Sequence, residues 1–234
     1  MIILLSKSTL NDQYAQWLKS LGRKIQLKDA YSENNESLDE MIKHCSGIVL
    51  TGGSDINPER YGRASESDRC EKIDNIRDEL EMNLIATALT HKIPLLAICR
   101  GVQIINIYFN GTLVIDIPSD YGKKVEHRNK ADVYHGITIA KDSDLYRYSR
   151  YHKFKVNSSH HQAIGLLGRN LIPVAWSEDD LVEAVQLTRR LSHPFFLGVQ
   201  WHPERMKLNH PMSGGIGRAF LQKAKKYSNS EEDM

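Results

Sequence analysis

Short apolar runs and longer stretches of helical spacing take turns through the first half of the chain. Residues 2–5, 25–27, 47–50 and 94–98 are brief and aliphatic, a pattern that predicts buried strands. Between them, apolar positions recur every three or four residues. That spacing predicts helices over 10–21, closed by Gly22, and over 38–44, after an acidic, Asn-rich loop at 32–37. A longer helix is predicted from about 74 to 91, with Leu80, Leu84, Ile85 and Ala88 on one face, and another over 101–109. A β-α-β-α order argues for a parallel sheet flanked by helices.

The second half is richer in strands, predicted at 136–140, 154–156, 172–175, 182–186 and 195–200. A helix is expected over 216–227, and the final SNSEEDM reads as a flexible, solvated tail at 228–234. No internal repeat or linker interrupts the pattern. The expectation is one domain over 1–234: an α/β, three-layer architecture with a mostly parallel central sheet and a small antiparallel extension.

Composition changes this picture little but excludes several function classes. The chain has 234 residues, 41% hydrophobic and 26% charged, enough to bury a sizeable core. Basic and acidic residues number 31 and 29, so there is no electrostatic footprint for nucleic acid. No apolar run reaches the length of a membrane span, and MIILLSK lacks the basic region of a signal peptide. The three cysteines, Cys45, Cys70 and Cys99, match no zinc spacing and cannot all pair, which suggests a reducing cytoplasm and free thiols.

The segment IPLLAICRGVQIINIYF carries the most chemistry. A buried strand ends at Ile98, Cys99 follows, and Gly101 opens a helix. A strand-turn-helix elbow lifts a nucleophile clear of the sheet edge, and the helix N-terminus favours thiolate over thiol. The alternative is a buried structural cysteine, the reading given to Cys45 and Cys70. A thiolate needs a base held by a third group. FFLGVQWHPER supplies His202 and Glu204 around the stiff Pro203, although in isolation the pair also fits a plain surface turn. Thr51-Gly52-Gly53-Ser54-Asp55 follows a buried strand. Glycines there let the backbone present N–H groups to an oxyanion, with Arg100 N–H as second donor, or simply make a turn. Asn57-Pro58 fits an N-cap and first helical position in either case.

These pieces, in this order, resemble the class I glutamine amidotransferase-like family, and most nearly its γ-glutamyl hydrolase branch, the C26 peptidase group. The matching segments are TGGSDINPERYG, RDELE, PLLAICRGVQIINIYFNGTL, VNSSHHQAI and GVQWHPE, spanning 51–204. The resemblance implies the flavodoxin-like fold of that family, with Cys99 as nucleophile, His202 as base and Glu204 as its orienting partner. It implies backbone N–H groups of Gly53 and Arg100 as the oxyanion hole. Gln103 would contact the glutamyl group, and Ser159 and His160 would lie in the segment holding its α-amino and α-carboxyl ends. The family's usual glycine two residues before the nucleophile is Ala97 here, small enough for the elbow to survive. Arg77 and Glu81 of RDELE stand at i, i+4, the spacing of an intrahelical ion pair.

The implied reaction is hydrolysis of a γ-glutamyl amide through a cysteine thioester, with no metal or organic cofactor. A metal site built from His127, His135, His160 and His161 is considered and set aside, because their spacing follows no zinc pattern. The expected partner is a small-molecule γ-glutamyl substrate, with no nucleic acid and no membrane; a homodimer stays open. One rival is a glutaminase subunit supplying ammonia to a separate synthase chain, and a second is a non-catalytic binding protein of the same fold. The basic loop 119–134, with Lys123, Lys124, His127, Arg128 and Lys130, is either an ordinary solvated loop or a border of the leaving-amine pocket.

Overall fold

The computed structural model describes residues 1–7, 12–22, 24–31 and 37–232, with side chains as far as 230. Nine strands form one sheet, β2 (Gln26–Asp29), β1 (Ile2–Leu5), β3 (Gly47–Leu50), β4 (Leu95–Ile98), β11 (Phe196–Val199), β10 (Val182–Leu187), β9 (Leu171–Ser177), β6 (Val133–Ile139) and β7 (Lys153–Ser158), in that order. The first five run parallel, and from β11 onward every pairing is antiparallel. The extension is thus four strands wide. A two-stranded ribbon, β5 (Leu113–Val114) with β8 (Ala163–Ile164), lies outside the sheet and has too few residues to leave a period in the sequence.

The described residues include seven α-helices: α1 (Gln13–Leu21), α2 (Leu38–Lys43), α3 (Asn75–His91), α4 (Arg100–Tyr108), α5 (Ile117–Asp120), α6 (Asp144–Ser149) and α7 (Ile216–Glu232). Strand periodicity splits the core in two. Ile3 and Leu5 of β1 pack on the side of α1 and α7, with Trp17, Leu18 and Phe220; Leu4 packs on the other, with Leu84, Ile85 and Ile105 of α3 and α4. Alternation continues in β3 and β4: Val49, Leu96 and Ile98 face one cluster, Ile48, Leu50, Leu95 and Ala97 the other.

Helix ends follow their caps. Asp12, Ser37, Asp74 and Ser143 each accept a backbone N–H of the first turn of α1, α2, α3 and α6. Asn57 does the same for the 3₁₀ turn Pro58–Tyr61, with Pro58 at its first position, as the sequence suggested. Leu10, at the predicted start of the first helix, and positions 32–36 of the Asn-rich loop lie outside the described residues.

Two expectations need correction. Helix α7 does not stop at 227 but runs to Glu232, so most of the supposed tail is helical. Nothing between 228 and 232 is a Gly or Pro to break it, and Ser230 Oγ donates to Tyr227 O at 2.8 Å. The buried stripe of α3 is not purely apolar either. Leu84, Ile85 and Ala88 are buried, but the N-terminal half buries Arg77, Asp78 and Glu81 while Leu80 is only half-buried.

Parallel strands share one consequence for function: β3, β4 and β11 are neighbours, so their carboxyl ends open onto the same sheet edge. Thr51-Gly52-Gly53 follows β3, Cys99 follows β4, and Gln200-Trp201-His202 follows β11. Segments far apart in the sequence, at 51–53, 99 and 200–202, converge at that edge, where ligands of open α/β sheets bind.

Candidate active site

Cys99 is the point where β4 becomes α4. Its N–H still belongs to the sheet, donating to Val199 O at 2.8 Å, while its carbonyl already accepts from Val102 and Gln103. Between these roles the backbone takes φ 51° and ψ −103°, a conformation L-residues rarely hold. The strain falls on the residue that the sequence offers as nucleophile. Ala97, two residues earlier, is an ordinary strand residue paired with Gly198 and Leu50, so alanine fits and the elbow forms without a glycine there. Gly101 is required by close approach: a Cβ there would lie 2.5 Å from Leu50 O and 2.9 Å from Leu50 Cβ.

The imidazole of His202 stands close enough to the Cys99 thiol to govern its charge, and its Nδ1–H donates to Glu204 Oε1 at 2.7 Å. That bond leaves Nε2 free to serve the sulfur, so Cys99, His202 and Glu204 lie together at one end of the sheet. Burial alone would raise the thiol's pKa, but the imidazolium of His202 more than offsets it and holds Cys99 below its ordinary value. Burial likewise opposes the imidazolium, yet Cys99 and Glu204 together lift His202 to about 10. The arrangement favours a thiolate–imidazolium pair.

Several residues that the sequence reading did not single out hold this trio. Asn157 clamps the backbone of His202 from both sides: its Oδ1 accepts His202 N–H at 3.1 Å and its Nδ2 donates to His202 O at 3.0 Å. Gln200 Nε2 points at Cys99 Sγ, 3.5 Å away, and Gln200 Oε1 accepts from Gln103 Nε2 at 3.3 Å. Tyr14 Oη accepts Gly52 N–H at 2.9 Å, and burial, with the charges of Glu204 and Cys99, keeps its hydroxyl protonated. An Asn in a strand or a Tyr in an amphipathic helix has no local signature, since its partner comes from another element.

The glycine turn rests on buried charge. Arg77 Nη2 donates to Thr51 O at 2.8 Å, Thr51 Oγ1 at 3.0 Å and Gly52 O at 2.9 Å, and Arg77 Nε donates to Glu81 Oε1 at 2.9 Å. The intrahelical ion pair is therefore present, but it is fully buried and holds the turn. Arg100, the residue after Cys99, donates to both Asp78 and Glu81, and Ser6 Oγ adds a bond to Glu81 at 2.7 Å. A Cβ on Gly53 would run into the Arg77 guanidinium, so glycine lets the two approach. Gly53 and Cys99 line one cleft of about 90 Å³, with Ser54, Asp55, Glu71, Gln103, Arg128, Ser159, His160, His161 and Gln162.

That cleft carries both signs of charge. Arg128 pairs with Glu71 through both of its terminal nitrogens (3.0 and 3.1 Å), and His161 Nε2 lies 3.1 Å from Asp55. Ser159 lines the cleft, whereas His160 turns its ring inward: Nδ1 donates to Gln162 O at 2.9 Å and Nε2 faces Glu183. Gln103 is buried and spends its amide N–H groups on Gln162 O and Gln200. Cys45 and Cys70 stand apart from this trio; burial pushes the Cys45 thiol up to about 12 and also raises Cys70.

A family model for peptidase C26 matches residues 5–204. The chain belongs to the peptidase C26 family. Among its relatives, the γ-glutamyl-γ-aminobutyrate hydrolase PuuD of Escherichia coli K12 is 30% identical over 224 residues, covering 91% of this chain and 85% of the relative. Protein NtpR of Enterococcus hirae is 33% identical over 186 residues, covering 77% and 76%. A glutamine amidotransferase of Thermotoga maritima superposes with a TM-score of 0.63 over 96% of this chain and 97% of that one; at 15% identity it speaks for the fold alone. Peptidase C26 membership and the class I glutamine amidotransferase fold are what the five motifs implied. No helix among the described residues is long and apolar enough to cross a membrane.

Proposed function

We propose that the protein hydrolyses γ-glutamyl amides, releasing glutamate and an amine through a thioester on Cys99. The observation that carries this reading is the trio itself, a strained Cys99 beside His202 and His202 bonded to Glu204, opening into a cleft that offers Asp55 and Glu71 beside Arg128 and His161. A glutamyl head carries an ammonium and a carboxylate together, and a cleft of mixed charge suits it.

The Cys99 thiolate attacks the δ-carbonyl carbon, and the oxygen takes the negative charge against the N–H groups of Gly53 and Arg100. The C–N bond then breaks as His202 Nε2 gives its proton to the departing nitrogen. Water, losing a proton to His202, attacks the thioester; the C–S bond breaks, glutamate leaves, and the thiolate–imidazolium pair returns. A pocket of about 350 Å³ adjoins the cleft through Arg128, His160 and His161 and is lined by Lys123, Glu126 and Ile117. It is suited to the amine half, and Lys123 would favour a leaving group with a carboxylate, as the name of the E. coli relative describes.

The test is glutamate release from a panel of γ-glutamyl amides by the purified chain alone, with Cys99→Ala beside it. Turnover by the wild type and none by the variant is expected. Full turnover by Cys99→Ala would end the thioester reading, and glutamine turnover that rises only with a separate synthase present would favour an ammonia-supplying subunit instead.

A further inference from the structure

Behind the cleft, four buried side chains from four segments meet at one point. His127 comes from the loop before β6, His135 from β6, His160 from the turn after β7 and Glu183 from β10, and their ligand atoms all lie within 4.8 Å of one another. Each is at most 4% exposed. Glu183 stands at an irregularity in the β10–β9 pairing, between Val182 and Ala184, and such bulges re-aim side chains.

The geometry is that of atoms sharing an ion rather than a proton. Glu183 Oε1 lies 3.8 Å from His127 Nδ1, 3.6 Å from His135 Nε2 and 3.5 Å from His160 Nε2. Hydrogen bonds would draw these distances to about 2.7–3.2 Å. Ligands around a tetrahedral zinc at roughly 2.0–2.2 Å stand about 3.3–3.5 Å apart. None of these three nitrogens, nor either oxygen of Glu183, meets hydrogen-bond geometry, the nearest approach being His160 Nε2 to Glu183 Oε1 at 3.5 Å, and five such buried polar atoms are costly in a single spot.

The opposite nitrogen of each ring is engaged. His127 Nε2–H donates to Asp179 Oδ2 at 3.1 Å, and Asp179 in turn accepts from Ser177 Oγ at 2.6 Å. His135 Nδ1 bonds Gly136 O at 3.2 Å and His160 Nδ1 bonds Gln162 O at 2.9 Å. With the proton fixed on the outer nitrogen, each ring turns a lone pair toward Glu183, as a metal-binding histidine does.

We infer that His127, His135, His160 and Glu183 bind one divalent zinc ion in a closed, tetrahedral structural site. Sequence spacing does not show these ligands because they meet through the antiparallel sheet instead of one short motif, and the fourth is Glu183, not His161. Four protein ligands leave no open position, so the ion would hold structure rather than perform the chemistry. It would pin loop 121–132 and the His160 turn against β10. Gln162 O, which accepts from His160, also accepts from Gln103 in the cleft, which ties the ion to the wall of the substrate site.

The competing account is a proton in place of the ion, with Glu183 neutralised by one imidazolium. The full chain, with Cys99, Cys45 and Cys70 replaced by Ser so that thiols take no part, is freed of metal and titrated with Zn²⁺ and, separately, Co²⁺. One equivalent should bind, Co²⁺ should give the intense visible bands of a tetrahedral site, and Zn²⁺ should raise Tm. His135→Gln and Glu183→Gln, confirmed as folded by circular dichroism, should each weaken binding at least 100-fold, and Asp179→Asn about 10–100-fold. Binding below one equivalent with Tm indifferent to Zn²⁺, an octahedral Co²⁺ spectrum, or undiminished binding by folded His135→Gln or Glu183→Gln would each overturn the assignment. The readouts are independent of turnover, so they stand or fall apart from the hydrolase reading.

Discussion

Replacing Arg77 with Met removes the guanidinium under the glycine turn while keeping most of its volume. Arg77 and Arg100 are the buried cations facing Asp78 and Glu81, with the partly buried Arg60 also on Asp78, so the variant removes one of two fully buried cations and leaves Glu81 with Arg100 alone. Breaking a buried pair by removing one partner costs about 3–5 kcal/mol. The carbonyls of Thr51 and Gly52 also lose their donor, but those bonds are part of the same difference and are not added to it. The expected loss is therefore about 3–5 kcal/mol, a large fraction of the roughly 5–15 kcal/mol that holds a domain folded. Urea unfolding followed by circular dichroism measures it, and adding Glu81→Gln should restore at least about 1 kcal/mol by removing the carboxylate that has lost Arg77. In whatever fraction remains folded, kcat should fall more than KM rises, because the turn carrying Gly53, whose N–H is proposed to meet the oxyanion, loses its support. A loss under about 1 kcal/mol, or no recovery in the double variant, would refute the view that this cluster supports the turn.

Three other outcomes follow from the same geometry. Iodoacetamide should alkylate Cys99 readily near neutral pH, and His202→Ala should move the alkylation midpoint upward, since burial then acts on the thiol unopposed; an unchanged midpoint would count against the ion pair. Hydrolysis should fall as pH rises through about 10, where His202 loses the proton it gives to the amine, and a rate still rising there would exclude His202 as the acid. Gly101→Ala should cost about 1–3 kcal/mol in thermal or urea unfolding, because its Cβ meets the backbone of Leu50, and a neutral effect would mean that α4 can shift freely.

Much of the parallel half of the fold was legible because its strands are buried on both faces and read as unbroken apolar runs, as at Ile48–Leu50 and Leu95–Ile98. The candidate site was legible for a related reason: Cys99 follows directly on β4, while Gly53 and His202 come within three residues of the ends of β3 and β11, and parallel neighbours bring those ends together. What could not be read locally was anything whose partner arrives from another element. Asn157 gains its role from the backbone of His202 and Tyr14 from Gly52. The charged face of α3 resembles a solvated stripe until Arg100 and the glycine turn are placed over it. The histidine cluster shows the same limit, since His127 and His160 are 33 residues apart in the numbering and need the β6–β7 hairpin to meet.

The claim at the centre is that Cys99 becomes acylated. Wild-type protein mixed with a γ-glutamyl amide, quenched in acid within a turnover and weighed intact should carry the mass of one glutamyl acyl group, mapped by digestion to the peptide containing Cys99. Glutamate release with no such adduct, or an adduct that persists on the same peptide in Cys99→Ala, would contradict it.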